Sequence, residues 1–537
     1  MLLLLLACVP TKVGLDDTAT TDTSDTSHET GDSSDTSHDT SGGACAPGGE
    51  LARGLVTTTA GPFQGSSVGE GWAFLGLPFA APPVGELRLR PPAAPGCVEA
   101  VRAADTWAPV CPQWSDAGHR ALAGDEDCLY LNVWTPTSEA GAGLPVLVFV
   151  HGGGNVQGGT SADGGGFPLY EGADLAAAEG VVVVTVAYRL GALGFLATEE
   201  LTGESGTSGN WGLLDQLAAL EWVREHARAF GGDPERVLLF GESAGALDTC
   251  ALYTSPWAEG LFSAALMQSG ACVATPLREA ENTGEDLAAD LGCADAACLR
   301  ELDWQDLAAL SESPISELGV PGAGSFGPAV DGVVLPEDPW DAIVAGEQLD
   351  VPLVVGSNTD ETAQWVPELT EEEYEAWVTG TLGARLGEEV LAVYPASDYA
   401  SPRWAWIALT TDVSFHCPAR WIHETAASTQ TAPVYRYLFG NVPNGASGRS
   451  YGAWHGLELL FVFQQLQEVA DATGYRVDNG DEAVEAAMGE AWAALAAGEM
   501  DSLSFPWSPD DELLLFDAGA TPATDGRAAY CDFWAGL

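Results

Sequence analysis

The sequence predicts an α/β fold: a large, mostly parallel central sheet with helices on both faces. Three observations predict it. Apolar runs of strand length recur at residues 144–150, 181–187, 237–240 and 351–355. Helix-compatible segments lie between them, as at residues 213–230. Such alternation is what parallel strands joined by crossover helices require. Third, three of these runs end directly in a glycine-containing turn, at His151-Gly152, Gly241 and Gly356. No internal repeat interrupts the pattern after residue 43, and no apolar run there is long enough to span a bilayer.

The N-terminus reads differently. Residues 1–7 are an apolar, signal-like segment ending at Cys8. Leu5-Leu6-Ala7-Cys8 looks like a bacterial lipobox, in which the cysteine is lipidated and becomes the mature N-terminus. The run is too short to span a bilayer and lacks a basic leader. The expectation is an exported protein, held on the cell envelope as a lipoprotein or else secreted. Residues 8–45 then form a linker. Ser24-Asp-Thr-Ser-His-Glu-Thr30 recurs as Ser34-Asp-Thr-Ser-His-Asp-Thr40, with almost no apolar residue in between. Such a segment cannot bury enough surface to offset its chain entropy, so it is expected to be an extended tether. Residues 46–537 are the globular part.

Charge narrows the partners. The chain carries 19 basic and 78 acidic residues, a net −59, and Lys12 is the only lysine. So negative a surface excludes a nucleic-acid backbone as partner. It also repels an anionic membrane, which leaves a covalent lipid as the membrane attachment. The acids are spread along the whole chain. That distribution favours solubility in a salty medium, where screening removes self-repulsion, over steering of cationic substrates. Eleven cysteines point to an oxidising compartment.

The chemistry is concentrated in Gly241-Glu242-Ser243-Ala244-Gly245. An apolar strand precedes it and a helix-compatible segment follows, which is the context a G-x-S-x-G nucleophile elbow needs. The turn is tight, so the neighbours of Ser243 must be small. A nucleophilic serine also needs a base, an orienting acid and an oxyanion hole. About 90 residues upstream, the strand 144–150 runs into His151-Gly-Gly-Gly154. Glycines there let backbone N–H groups approach a developing oxyanion. The acid is expected after the strand 351–355, where both Asp360 and Glu361 stand. Of the eight histidines, His28 and His38 lie in the tether and His226 in a helical pattern. His119, His416 and His423 have no evident partner, and His151 belongs to the oxyanion loop. His455 follows the acid in a loop before a helix-like run.

With these motifs in order, the sequence resembles the type-B carboxylesterase and cholinesterase family, of the bacterial para-nitrobenzyl-esterase kind, whose fold is the α/β-hydrolase. The resemblance runs from about Gly54 to the C-terminus. Its further markers are Phe74-Leu-Gly-Leu-Pro-Phe-Ala80, Pro82-Pro-Val-Gly85, Glu126-Asp-Cys-Leu-Tyr-Leu-Asn132, Tyr188-Arg-Leu-Gly-Ala-Leu-Gly-Phe195, Asn210-Trp-Gly-Leu-Leu-Asp-Gln216 and Phe230-Gly-Gly-Asp-Pro234. It implies a Ser243, Glu361, His455 triad, with Glu361 rather than Asp360 as the acid. It implies an oxyanion hole from the N–H groups of Gly153, Gly154 and Ala244, and ion pairs Arg88–Glu126 and Arg189–Asp215. It suggests disulfides Cys111–Cys128, Cys293–Cys298 and Cys417–Cys531. Cys45 and Cys97 are candidates for a further pair. Cys250 and Cys272 are unassigned, with a buried free thiol the bland alternative for Cys250.

Pocket candidates are Glu242, Asn155 and Trp365, the last four residues after Glu361 and offering a π-face. The loop from Cys111 to Cys128 is short, and its only aromatic, Trp114, is remote from the position, near Gly118, where cholinesterases carry a tryptophan. Choline esters are therefore a minor expectation. The segment from Glu312 to Ser325, rich in Gly, Pro and Ser, is expected to border the acyl pocket. The expected activity is acyl transfer from a small-molecule ester to water through an acyl-enzyme, with no metal or organic cofactor. Two further readings stay open: a specialised acyl substrate such as a lactone or carbamate, and a non-catalytic binding protein of the same fold. The last would lack the serine or the histidine, and this chain has both.

Overall fold

The computed structural model describes residues 45–46, 48–115, 121–162, 167–311 and 326–537. Cys8, the tether up to residue 44 with His28 and His38, His119, and the segment from Glu312 to Ser325 lie outside the described residues.

Eight strands form the centre of a 14-stranded sheet among the described residues. They are β1 (Tyr130–Thr135), β2 (Leu144–Val150), β3 (Val182–Val186), β4 (Gly232–Glu242), β5 (Ala264–Gln268), β6 (Leu353–Asn358), β7 (Val434–Phe439) and β8 (Leu513–Phe516). Their spatial order is β1-β3-β2-β4-β5-β6-β7-β8. From β3 to β8 every neighbour is parallel, while β1 pairs antiparallel with β3. Antiparallel strands extend the sheet at both ends, among them Gly71–Pro78 beside β1 and Ala520–Ala523 beside β8.

The chain leaves β2 for β3 on one side and returns to β4 on the other. That reversal opens a crevice beyond the carboxyl ends of β2 and β4, where open α/β sheets place their ligands. Val150 pairs with Gly241, Glu242 with Gln268, Gln268 with Gly356, and Asn358 with Phe439. The carboxyl ends of β2, β4, β5, β6 and β7 thus stand side by side.

Strand alternation divides the core. Val146, Val148 and Val150 face one layer, with the helices α1 (Trp211–His226) and α2 (Ala244–Thr254). Leu147 and Phe149 face the other, with α3 (Asn479–Ala497), whose Met488 and Trp492 are wholly buried. Both faces are covered, which is why the strands read as unbroken apolar runs. The helix expected over 213–230 begins at Trp211 and tightens into a 3-10 turn at Ala227–Phe230. His226 on it is packed at zero exposure against Trp222. No helix among the described residues is long and apolar enough to cross a membrane.

Two ion pairs are buried in this frame. Arg88 grips Glu126 through Nε and Nη2, each at 2.7 Å, and Arg189 grips Asp215 in the same bidentate way. Such forks hold their geometry better than a point charge. Five disulfides are present among the described residues: Cys45–Cys97, Cys111–Cys128, Cys250–Cys272, Cys293–Cys298 and Cys417–Cys531. The free-thiol reading of Cys250 is therefore corrected. Cys250 lies on α2 and Cys272 four residues beyond β5, and adjacent strands bring their Cα atoms to 5.5 Å.

Candidate active site

β4 ends at Glu242, and α2 starts at Ala244. Ser243 is the single residue between them, with φ 58° and ψ −121°, a conformation L-residues rarely adopt. Its backbone N–H donates to Gln268 O at 2.9 Å, tying the turn to β5. A Cβ at Gly241 would stand 2.2 Å from Gly245 O, and one at Gly245 would stand 2.1 Å from Val150 O. Only glycine fits at either place. Ser243 stays half-buried. Ala244 opens α2, so its amide is among those a helix cannot satisfy internally.

The glycine loop after β2 lies directly against this turn. A Cβ at Gly152 would meet Glu242 O at 2.7 Å and Ser243 Cβ at 2.9 Å. Gly153 and Gly154 take φ values of 110° and 64°. The loop is held from behind. The His151 ring stacks on Tyr188 at 4.6 Å, and the one O–H of Tyr188 is shared between His151 O at 2.8 Å and Asn155 Oδ1 at 3.0 Å. Asn155 Nδ2 donates to Asp248 Oδ1 at 3.0 Å, and Gln216 Nε2 to Asp248 Oδ2 at 2.6 Å. Asn155 is 2% exposed. It is a strut of the loop rather than a pocket wall, because both ends of its amide are spent inside the protein. Burial lowers the His151 pKa to about 4. Its imidazole is therefore neutral.

His455 comes four residues after the short helix Ala446–Tyr451 that follows β7. Its Nδ1 lies 2.7 Å from Oε2 of Glu361, and its backbone N–H donates to Glu361 O at 3.1 Å. Asp360, the competing acid, is engaged elsewhere, by the N–H of Ala453 at 3.0 Å and the hydroxyl of Thr359. His455 Nε2 stands 3.1 Å from Oε1 of Glu242, yet it makes no hydrogen bond among the described residues. That contact is charge attraction, and it sets the far nitrogen of the ring beside the residue that precedes Ser243.

Two further side chains complete the surroundings. Glu458 is wholly buried; its Oε2 accepts from Asn358 Nδ2 at 2.5 Å and its Oε1 from Gln268 Nε2 at 3.2 Å. Phe415 places its ring centroid 5.0 Å from that of His455. Glu458 was readable in outline, since it stands three residues after His455; Phe415 has no local signal at all. Trp365, a pocket candidate, lies 5.3 Å from His455 and is half-buried. The three carboxylates Glu242, Glu361 and Glu458 surround one imidazole. Burial raises Glu242 to about 7 and Glu458 to about 8, each helped by its acidic neighbours. Burial alone would lower His455, but Glu242 and Glu361 more than offset it and raise it to about 9.

A serine on a strand–elbow–helix turn at the carboxyl edge of a mostly parallel sheet defines the α/β-hydrolase class. A model of the carboxylesterase family matches residues 52–513. The chain is 40% identical to fumonisin B1 esterase of Sphingopyxis macrogoltabida over 428 residues, which is 76% of this chain and 74% of that protein. It is 37% identical to para-nitrobenzyl esterase of Bacillus subtilis over 77% of this chain and 83% of the relative. A solved thermophilic para-nitrobenzyl esterase superposes with a TM-score of 0.75 at 31% identity, covering 90% of this chain and all of that one. The chain belongs to the carboxylesterase family, and it is an ester hydrolase.

Proposed function

We propose that this chain hydrolyses small carboxylic esters through a Ser243–His455–Glu361 triad. The observation that carries the reading is the 2.7 Å contact of His455 Nδ1 with Glu361 Oε2, while Nε2 lies 3.1 Å from Glu242 beside Ser243 and makes no hydrogen bond among the described residues. His455 Nε2 takes the Ser243 proton as Oγ attacks the ester carbonyl. Glu361 holds the ring and stabilises the imidazolium. The N–H groups of Gly153, Gly154 and Ala244 receive the oxyanion, each contributing roughly 3 kcal/mol by analogy with oxyanion-hole deletions. The tetrahedral species collapses, and His455 returns the proton to the leaving alcohol. Water then attacks the acyl-enzyme with the same base, releasing the acid and restoring Ser243.

The protein works outside the cytosol in this reading, tethered through Cys8 or secreted. Five disulfides and the lipobox-like start support that placement. The test is hydrolysis of p-nitrophenyl acetate, butyrate and octanoate by chain produced in an oxidising compartment, beside Ser243→Ala. Turnover that vanishes in the variant establishes the serine, and the preferred chain length sizes the acyl pocket. A folded wild type no faster than the variant on any of these esters, at low and at molar salt, would sink the reading for simple esters.

A further inference from the structure

The helix Pro402–Thr411 does not end where it should. It passes through a five-residue π-helix, Asp412–His416, and continues as Cys417–Thr429. A π-turn weakens the helix ladder, so it persists where something else holds it, commonly at functional sites. Here the holding groups are explicit. Asp412, 1% exposed, accepts from the Tyr394 hydroxyl at 2.8 Å and from Arg527 Nε at 2.9 Å. His416 Nε2 lies 3.1 Å from Asp525 Oδ1, whose other oxygen lies 2.6 Å from Arg436 Nη2. Cys417, the next residue, is bonded to Cys531. Three of these anchors, Asp525, Arg527 and Cys531, belong to the last stretch of the chain.

Between the anchors sits Phe415, 5% exposed, with its ring 5.0 Å from the His455 imidazole and tilted by 49°. The Trp365 ring is 5.3 Å from the same imidazole and tilted by 55°. His455 needs such neighbours. Nδ1 is hydrogen-bonded to Glu361 and Nε2 faces Glu242 at 3.1 Å, and these two contacts at the ring nitrogens leave the tilt of the ring to the side chains packed against it. Near-attack geometry tolerates little error in that tilt, because a misplacement of about 1 Å costs on the order of a hundredfold in rate. Both aromatic rings are also within the ~6 Å over which a π-face attracts a cation, and the imidazole becomes one during the reaction.

We propose that Phe415 is a positioning residue: the anchored π-turn presses its ring on His455, and with Trp365 it fixes the imidazole plane for proton transfer from Ser243. The proposal rests on the triad reading above. Its bland rival is ordinary packing, which bulk alone would satisfy.

The test separates ring from bulk. Phe415→Leu and Phe415→Met keep the side chain apolar and of similar volume but remove the ring; Phe415→Tyr keeps the ring. Each full-length variant is assayed on p-nitrophenyl butyrate, with thermal unfolding measured alongside. The expected result is a kcat about tenfold lower for Leu and Met, KM within about twofold of wild type, an unfolding temperature close to wild type, and kcat restored in Phe415→Tyr. Wild-type kcat in Leu or Met, a loss confined to KM, or a Tyr variant as slow as Leu would overturn the proposal. Ser243→Ala is run in parallel. If it is inactive while Phe415→Leu is not impaired, the clamp falls and the triad stands; if Ser243→Ala keeps wild-type turnover, both fall.

Discussion

Glu361 is held at both oxygens: Oε2 by His455 Nδ1 at 2.7 Å, and Oε1 by the backbone N–H of Asn358, also at 2.7 Å. Asn358 is the last residue of β6, so the strand end itself aims the carboxylate, which has no exposure to solvent. The acid thus selects one tautomer and one orientation of the imidazole.

Replacing that carboxylate by an amide of the same shape should show what it does. Glu361→Gln is expected to lower kcat by about four orders of magnitude, since the ring then settles in the wrong tautomer and its cation loses its counter-charge. Steady-state kinetics on p-nitrophenyl butyrate measures this, with circular dichroism to show that the fold is kept. A loss below tenfold would mean that Glu361 does not orient the base.

The pH dependence follows from the three carboxylates. In the proposed mechanism only the neutral ring accepts the serine proton, and burial loses to Glu242 and Glu361 in setting its pKa, raised to about 9. Activity should therefore climb with pH through neutrality and level off only above the ordinary histidine range. Glu242→Gln removes the anion nearest Nε2, destabilises the imidazolium, and so should move this acid limb to lower pH. Profiles of kcat/KM from pH 5 to 10 for both proteins decide it; an unmoved limb would show that Glu242 does not set the base.

Gly245 is expected to be irreplaceable. An alanine Cβ there would stand 2.1 Å from Val150 O and 2.9 Å from His151 O, both backbone atoms that no rotamer change can move aside. Gly245→Ala should lose about 1–3 kcal/mol of stability and at least tenfold in kcat, since the oxyanion loop is the part displaced. Gly203→Ala is the control. It lies in the helix Glu199–Ser205 with nothing within 4 Å of where a Cβ would stand, so it should be neutral or stabilising by up to about 1 kcal/mol. Urea midpoints of the two variants make the comparison.

The disulfides should rank by the loop each closes. Their separations are 114 residues for Cys417–Cys531, 22 for Cys250–Cys272 and 5 for Cys293–Cys298. Chain entropy predicts losses of about 5, 3 and 2 kcal/mol on replacing each pair by alanine. Cys417–Cys531 should lose activity as well, because it anchors the turn that carries Phe415. Unfolding curves of the three double variants test the order.

Much of the site was legible because its requirements are local. Gly241 and Gly245 flank Ser243 in the sequence because their Cβ atoms would strike backbone a few residues away or on the next strand. The glycines after His151 are likewise a backbone requirement. Asp360 and Glu361 were another matter. They are adjacent, both acidic and both mostly buried, and no local rule separates them; only the family resemblance chose Glu361.

Spacing that the backbone must obey writes the alternating architecture, the elbow and the glycine loop into the sequence. Tertiary packing supplied the rest. It turned Asn155 inward to Tyr188 and Asp248, joined Cys250 to Cys272, gathered Glu242, Glu361 and Glu458 about one imidazole, and brought Phe415 onto it. These contacts join segments up to about 200 residues apart. Their meeting depends on strand order, register and the direction of each side chain, and those are settled by packing the whole sheet at once.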